Sequence, residues 1–135
     1  MTKTDPTTLY LAIAIGSALG GVARFWTYGF AARVFGETFP YGTLTVNVAG
    51  SLVIGVLFAL TAPDGRLLMS PALRLGLTAG LCGGFTTFST FSLETMNLLR
   101  LGDWPRAGLN ILGNVLLCLF SVWLGFAIAT TLNRR

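Results

Sequence analysis

Charge is absent from four long stretches of the chain. Leu9 to Ala23 has none, and its apolar pattern runs on past Arg24 to Phe35; Leu44 to Ala62 has none either. A third stretch, Leu75 to Leu93, continues past Glu94 to Leu99, and the last runs from Ala107 to Leu132. Each is long enough for a helix to cross a hydrocarbon core, which takes about 20 residues. The apolar positions come in runs rather than in alternation, which argues against a water-filled β-barrel. Turn-forming residues separate the runs: Gly36-Glu37-Thr38-Phe39-Pro40, then Pro63-Asp64-Gly65-Arg66 with Ser70-Pro71, then Arg100 to Arg106, where Trp104 suits an interface. The pattern predicts an all-α membrane protein, one domain over residues 1–135, with spans near 9–35, 41–62, 72–100 and 105–132.

Composition agrees. The chain has 135 residues, 53% hydrophobic and only 10% charged, where a soluble domain carries roughly 25% charged residues. A chain this small has a large surface for its volume, so it lacks the polar shell a soluble monomer needs. The nine basic residues lie singly or in one terminal pair rather than in a stripe, so the net charge of +4 does not point to nucleic acid. With no histidine and no nucleophile–base pairing, the sequence offers nothing to an enzyme. Only Lys3 is positive before the first run, and Asp5 counters it, so that run reads as a retained span rather than a signal peptide. Cys82 and Cys118 both fall inside spans and read as small buried residues.

Four crossings put both tails on one side. Lys3, Arg66, Arg74, Arg134 and Arg135 share that side, and Arg33, Arg100 and Arg106 lie opposite, with Arg24 inside a span. Five bases against three, or against four with Arg24, is a weak orientation signal. It fits one fixed topology, and it fits equally a chain that inserts both ways up.

The chemistry lies in polar residues placed inside the spans, where they are costly and need a reason. The densest set is Gly80-Leu81-Cys82-Gly83-Gly84-Phe85-Thr86-Thr87-Phe88-Ser89-Thr90-Phe91-Ser92. Gly76, Gly80 and Gly84 stand four apart and make a smooth face for close helix approach. The Gly83-Gly84 pair followed by Thr86, Thr87, Ser89 and Thr90 predicts a break that frees carbonyls, and a cation is one partner for these. Phe85, Phe88 and Phe91 recur every third residue and share a helix face. Such a stripe is usually core or lipid-facing, but here it is interleaved with hydroxyls. Ring edges and hydroxyl protons both present positive charge, which suits an anion.

Asn47 brings an amide to the second span, and Asn110, Asn114 and Cys118 form a polar stripe at i, i+4 and i+8 in the fourth. Arg24 follows Gly20-Gly21 in the first; it either snorkels to the interface or adds positive potential to a pore mouth. The inventory is rich in donors, and Glu94 is the only acid within a span. A cation pathway would place carboxylates centrally. This chain is built for an anion.

Three motifs together resemble the Fluc (CrcB) fluoride channels: Gly20-Gly21-Val22-Ala23-Arg24, Gly42-Thr43-Leu44-Thr45-Val46-Asn47, and Gly83 through Ser92. The resemblance covers nearly the whole chain. It implies a passive channel that exports cytoplasmic fluoride across a bacterial inner membrane. It also implies an antiparallel, dual-topology homodimer with a broken third helix and two fluoride pathways. By motif position, Asn47 would donate to the ion and Phe88 and Phe91 would line its path, with Ser89 and Thr90 beside it and Arg24 near an aqueous vestibule. Carbonyls of Gly83 and Thr86 from each subunit would hold a central Na⁺ at the dimer interface. The family's fourth helix often carries a tyrosine and serines where this chain has Asn110, Asn114 and Cys118, so the polarity of that stretch of pathway is kept with different groups. The main rival is a small multidrug-type proton-coupled transporter, also four-span. It needs an acid in the first span, where this chain has Arg24. A non-transporting assembly subunit is the third class.

Overall fold

The structure, a computed structural model, describes residues 5–62 and 65–133. Lys3, Pro63, Asp64, Arg134 and Arg135, which entered the topology argument, lie outside the described residues. All regular structure among the described residues is helical. Helix α1 spans Pro6–Phe35 and begins on a proline, whose missing N–H costs nothing in a first turn. Helix α2 spans Tyr41–Leu60, and the last helix, α6, spans Trp104–Asn133. These three are long and apolar enough to cross a membrane.

The third apolar run does not form one helix. It starts as α3 (Pro71–Leu75), where the Ser70 hydroxyl accepts from the Leu73 amide at 3.3 Å. It then widens into a π-helical stretch, Gly76–Cys82, and tightens to the single turn α4 (Gly83–Phe85). Thr86 and Thr87 are extended, at φ −85°, ψ 160° and φ −154°, ψ 116°. Helix α5 then runs from Phe88 to Arg100. It closes at Gly102, whose φ of 76° lets the Gly102 and Asp103 amides fold back onto Leu99 and Leu98 carbonyls.

Two close helix contacts organise the molecule. Helix α1 packs on the first half of the third region through glycine: a Cβ on Gly80 would stand 2.9 Å from the Ile13 carbonyl, and one on Gly84 2.5 Å from that of Ser17. Helices α2 and α6 pack likewise, with Gly125 on the Leu52 backbone and Gly55 on that of Val122. Apart from Phe91, the buried apolar residues are accordingly small, such as Ala31, Val46, Ala59, Ala107 and Ala129. Large apolar side chains face outward instead, as Phe25, Leu19, Leu116 and Trp123 do. An exterior of that kind suits hydrocarbon rather than water.

Candidate functional site

The break between α4 and α5 is held by side chains from outside it. In a continuous helix the Thr87 amide would close on the Gly83 carbonyl. Here it donates to Asn47 Oδ1 (2.8 Å), and Asn47 Nδ2 donates back to the Thr87 carbonyl (3.1 Å). One amide of α2 thus replaces a lost rung of the third region. The Thr90 amide, which would have closed on Thr86, donates to Thr87 Oγ1 at 3.2 Å, so Thr87 caps α5. Thr87 Oγ1 donates in turn to Thr90 Oγ1 (3.0 Å), which leaves Ser89 as the donor in the 3.2 Å contact between the Ser89 and Thr87 hydroxyls. Gly83 and Thr86 carbonyls have therefore lost their helical donors. The Arg24 guanidinium reaches the Thr86 carbonyl at 3.4 Å, a long bond.

A cavity of about 450 Å³ opens beside the break. Asn47, Gly83, Thr86, Phe88, Phe91 and Asn114 all line it, so residues from three regions of the sequence meet there. Cys82 and Cys118 line it too. None of the lining side chains is ionisable except those two thiols. The Phe88 and Phe91 rings stand 5.2 Å apart, tilted by 58°, so that an edge of one addresses the other. Their settings differ: Phe91 is 7% exposed in the protomer and Phe88 76%. The N-terminus of α5 adds the positive end of its dipole at this point.

The polar stripe of α6 faces inward, but its members differ. Asn114 lines the cavity and accepts from Asn47 Nδ2 through Oδ1 (2.9 Å). Asn110 is fully buried outside the lining and donates to Thr95 Oγ1 at 2.9 Å. Ser89, Thr90 and Arg24 flank the break without lining the cavity.

Two polar contacts carry no signature in the sequence pattern, although Thr43 stands in a motif and Glu94 is the one acid within a span. Thr95 links α5 to α6 through Asn110, and its one local hint is its position four residues after Phe91, whose carbonyl takes its proton at 2.8 Å. Thr43 donates to Glu94 Oε1 at 2.8 Å, so its 3.1 Å contact with Tyr28 has the phenol as donor. The other carboxylate oxygen of Glu94 is buried without a partner among the described residues. Glu94 thus sits at the far end of α2 from the Gly55 contact, in a second cavity of about 270 Å³ that Tyr28, Tyr41 and Glu37 also line.

Known proteins resemble the chain over most of its length. Residues 11–126 match the family model described as CrcB-like protein, Camphor Resistance (CrcB). A protein of Opitutus terrae named fluoride-specific ion channel FluC is 56% identical over 126 residues, covering 93% of this chain and 96% of its own. A Methylocella silvestris protein of the same name is 53% identical, over 93% of this chain and 95% of its own. One from Geobacter sulfurreducens is 49% identical, over 93% and 99%.

Proposed function

Because the chain belongs to the CrcB family, we propose that it is a passive, fluoride-selective channel of a bacterial inner membrane. The observation that carries the reading is the cavity at the helix break. Amide, hydroxyl and aromatic-edge groups gather there around Asn47, Phe88 and Phe91 without a carboxylate among them. Fluoride holds its water more tightly than other halides, so a pore for it must offer good donors at close range. A larger halide meets the same walls and fits badly, so misfit contributes to selectivity as much as attraction does. Thr90, whose hydroxyl accepts from Thr87 and keeps its own proton, adds a donor at the break with Ser89 beside it, and Arg24 raises the potential on the α1 side.

The working unit is an antiparallel homodimer with two pathways. Supporting this, Phe88 lines the cavity yet stands exposed in the protomer, so a second copy would complete the wall. The carbonyls of Gly83 and Thr86 suit a central Na⁺, because both have lost their helical donors, Thr86 keeping only the long contact from Arg24, and hard cations take neutral oxygen ligands readily. Such an ion, when bound, supplies fixed positive potential in a low-dielectric setting. A negative cell interior then drives fluoride outward by about 2.3 kcal/mol per 100 mV, and no pump is needed.

The test is fluoride and chloride efflux from liposomes holding the purified protein alone. Rapid fluoride loss with little chloride loss is expected. No ion movement would favour an assembly subunit, and proton-coupled uptake of an organic cation without fluoride flux would favour a drug transporter; either result overturns the proposal.

A further inference from the structure

Asn47 has no idle donor. Its orientation is fixed by the backbone of Thr87, whose N–H can only donate to Oδ1 and whose carbonyl can only accept from Nδ2. That aims the second Nδ2 hydrogen at Asn114, so the facing atom of Asn114 must be its oxygen. Asn114 Nδ2 then points at Asn110, donating to its backbone carbonyl (3.1 Å) and to its Oδ1 (3.0 Å). Asn110 Nδ2 donates to Thr95, and Thr95 to the Phe91 carbonyl. Apart from the Asn47 bond back to the Thr87 carbonyl, every bond in this relay runs the same way, from the helix break through α2 and α6 back to α5. Backbone atoms of Thr87, Asn110 and Phe91 set the polarity at the start, middle and end, so no amide can be turned over without leaving a donor facing a donor.

This polarity bears on specificity. An anion entering the cavity is an acceptor, and Asn47 can serve it only by releasing an acceptor it already has. The Thr87 carbonyl belongs to a reciprocal pair that holds the break. The Asn114 carbonyl is a single side-chain contact, and Asn114 lines the cavity. We infer that Asn114 is a specificity-determining residue: its amide oxygen occupies the Asn47 donor, and an anion must displace it to bind. A small, strong acceptor such as fluoride displaces a neutral amide oxygen, whereas a large, weak one such as chloride does not. Asn114 therefore acts as the ion's competitor, not as its ligand. Asn110 is a positioning residue, holding Asn114 with its oxygen toward Asn47.

The inference rests on the channel reading, and the experiment separates the two. Wild type and Asn114→Ala are reconstituted in planar bilayers or liposomes, and the fluoride dependence of flux and the bi-ionic fluoride/chloride reversal potential are measured. Removing the competing oxygen lowers the half-saturating fluoride concentration by about threefold to tenfold, the worth of one such hydrogen bond, and raises relative chloride permeability. If Asn114 were a ligand, its loss would raise the half-saturating concentration. A concentration that is unchanged or raised, or a chloride permeability that does not rise, overturns the inference while a conducting wild type leaves the channel reading intact. A wild type that moves no fluoride overturns both. Should Asn114→Ala fail to assemble, Asn114→Leu fills the space with no acceptor and decides the matter by the same two measurements.

Discussion

Phe88 and Phe91 stand on one face of α5 with their rings in contact, yet a substitution at each reads out different physics. Phe91 is nearly covered within the protomer, so Phe91→Ile removes packing as well as a ring edge; a loss of about 1–3 kcal/mol is expected in detergent melts. Phe88 is mostly exposed there, so Phe88→Ile leaves protomer stability within about 0.5 kcal/mol. Both suppress fluoride efflux, and Phe88→Ile is the cleaner probe, since normal efflux in it would remove the ring from the pathway. Asn47→Leu is the least clean. It abolishes flux, but it also strands the buried Thr87 amide at a cost of about 1–3 kcal/mol, and melting and efflux measured together register both. The residues of this site are legible in the sequence as donors inside spans. Their mutual satisfaction is not, because Asn47 on α2, Thr87 and Thr95 on α5 and its cap, and Asn114 on α6 lie far apart in sequence, and no local period records which donor meets which acceptor.

At the scale of elements, the third region shows how far spacing carries. Glycines four apart predict a smooth face, and Gly76, Gly80 and Gly84 do meet the α1 backbone at Ala12, Ile13 and Ser17. The Gly83-Gly84 pair followed by Thr86, Thr87, Ser89 and Thr90 predicts a break, and one falls within that stretch, at Thr86-Thr87. Its exact place has a cause: glycine weakens the helix, and the break settles where Asn47 captures both backbone polar groups of Thr87 and where the Thr87 hydroxyl can cap α5. The π-helical stretch has no sequence signature; it carries Gly76 and Gly80 against α1. The seam makes a contrast that thermal melts can check. A methyl on Gly84 would meet the Ser17 carbonyl at 2.5 Å and its Cα at 2.9 Å, backbone atoms that yield only if α1 moves, so Gly84→Ala is expected to destabilise by about 1–3 kcal/mol. Gly21 lies in α1 with nothing within 4 Å of such a methyl, so Gly21→Ala is expected to be neutral or to stabilise by up to about 1 kcal/mol. Equal loss in both would mean that glycine in α1 and α4 serves something other than close packing.

For the whole molecule, the distribution of nine bases acquires a function once an antiparallel dimer is the working unit. Such a dimer needs both orientations of one chain in the same membrane, and so requires an orientation signal close to balance. Arg33 near the end of α1, Arg100 at the end of α5 and Arg106 at the start of α6 supply one side of that balance. Arg106 also pairs with Asp103 at 3.1 Å, but an exposed pair of this kind adds about 1 kcal/mol at most. Replacing Arg33, Arg100 and Arg106 with glutamine therefore leaves folding intact and the orientation signal strongly one-sided, with only the intramembrane Arg24 set against five bases. A C-terminal reporter that is active on only one side of the membrane should change from reporting on both sides to reporting on one. Fluoride efflux from cells should then fall to background, because no oppositely oriented partner remains. Co-expression with a second variant, Arg66→Gln with Arg74→Gln and the terminal Arg134 and Arg135 likewise replaced, biases a partner the other way and should restore efflux. Full efflux from the first variant alone would show that parallel or single chains conduct, and the antiparallel pair would have to be abandoned.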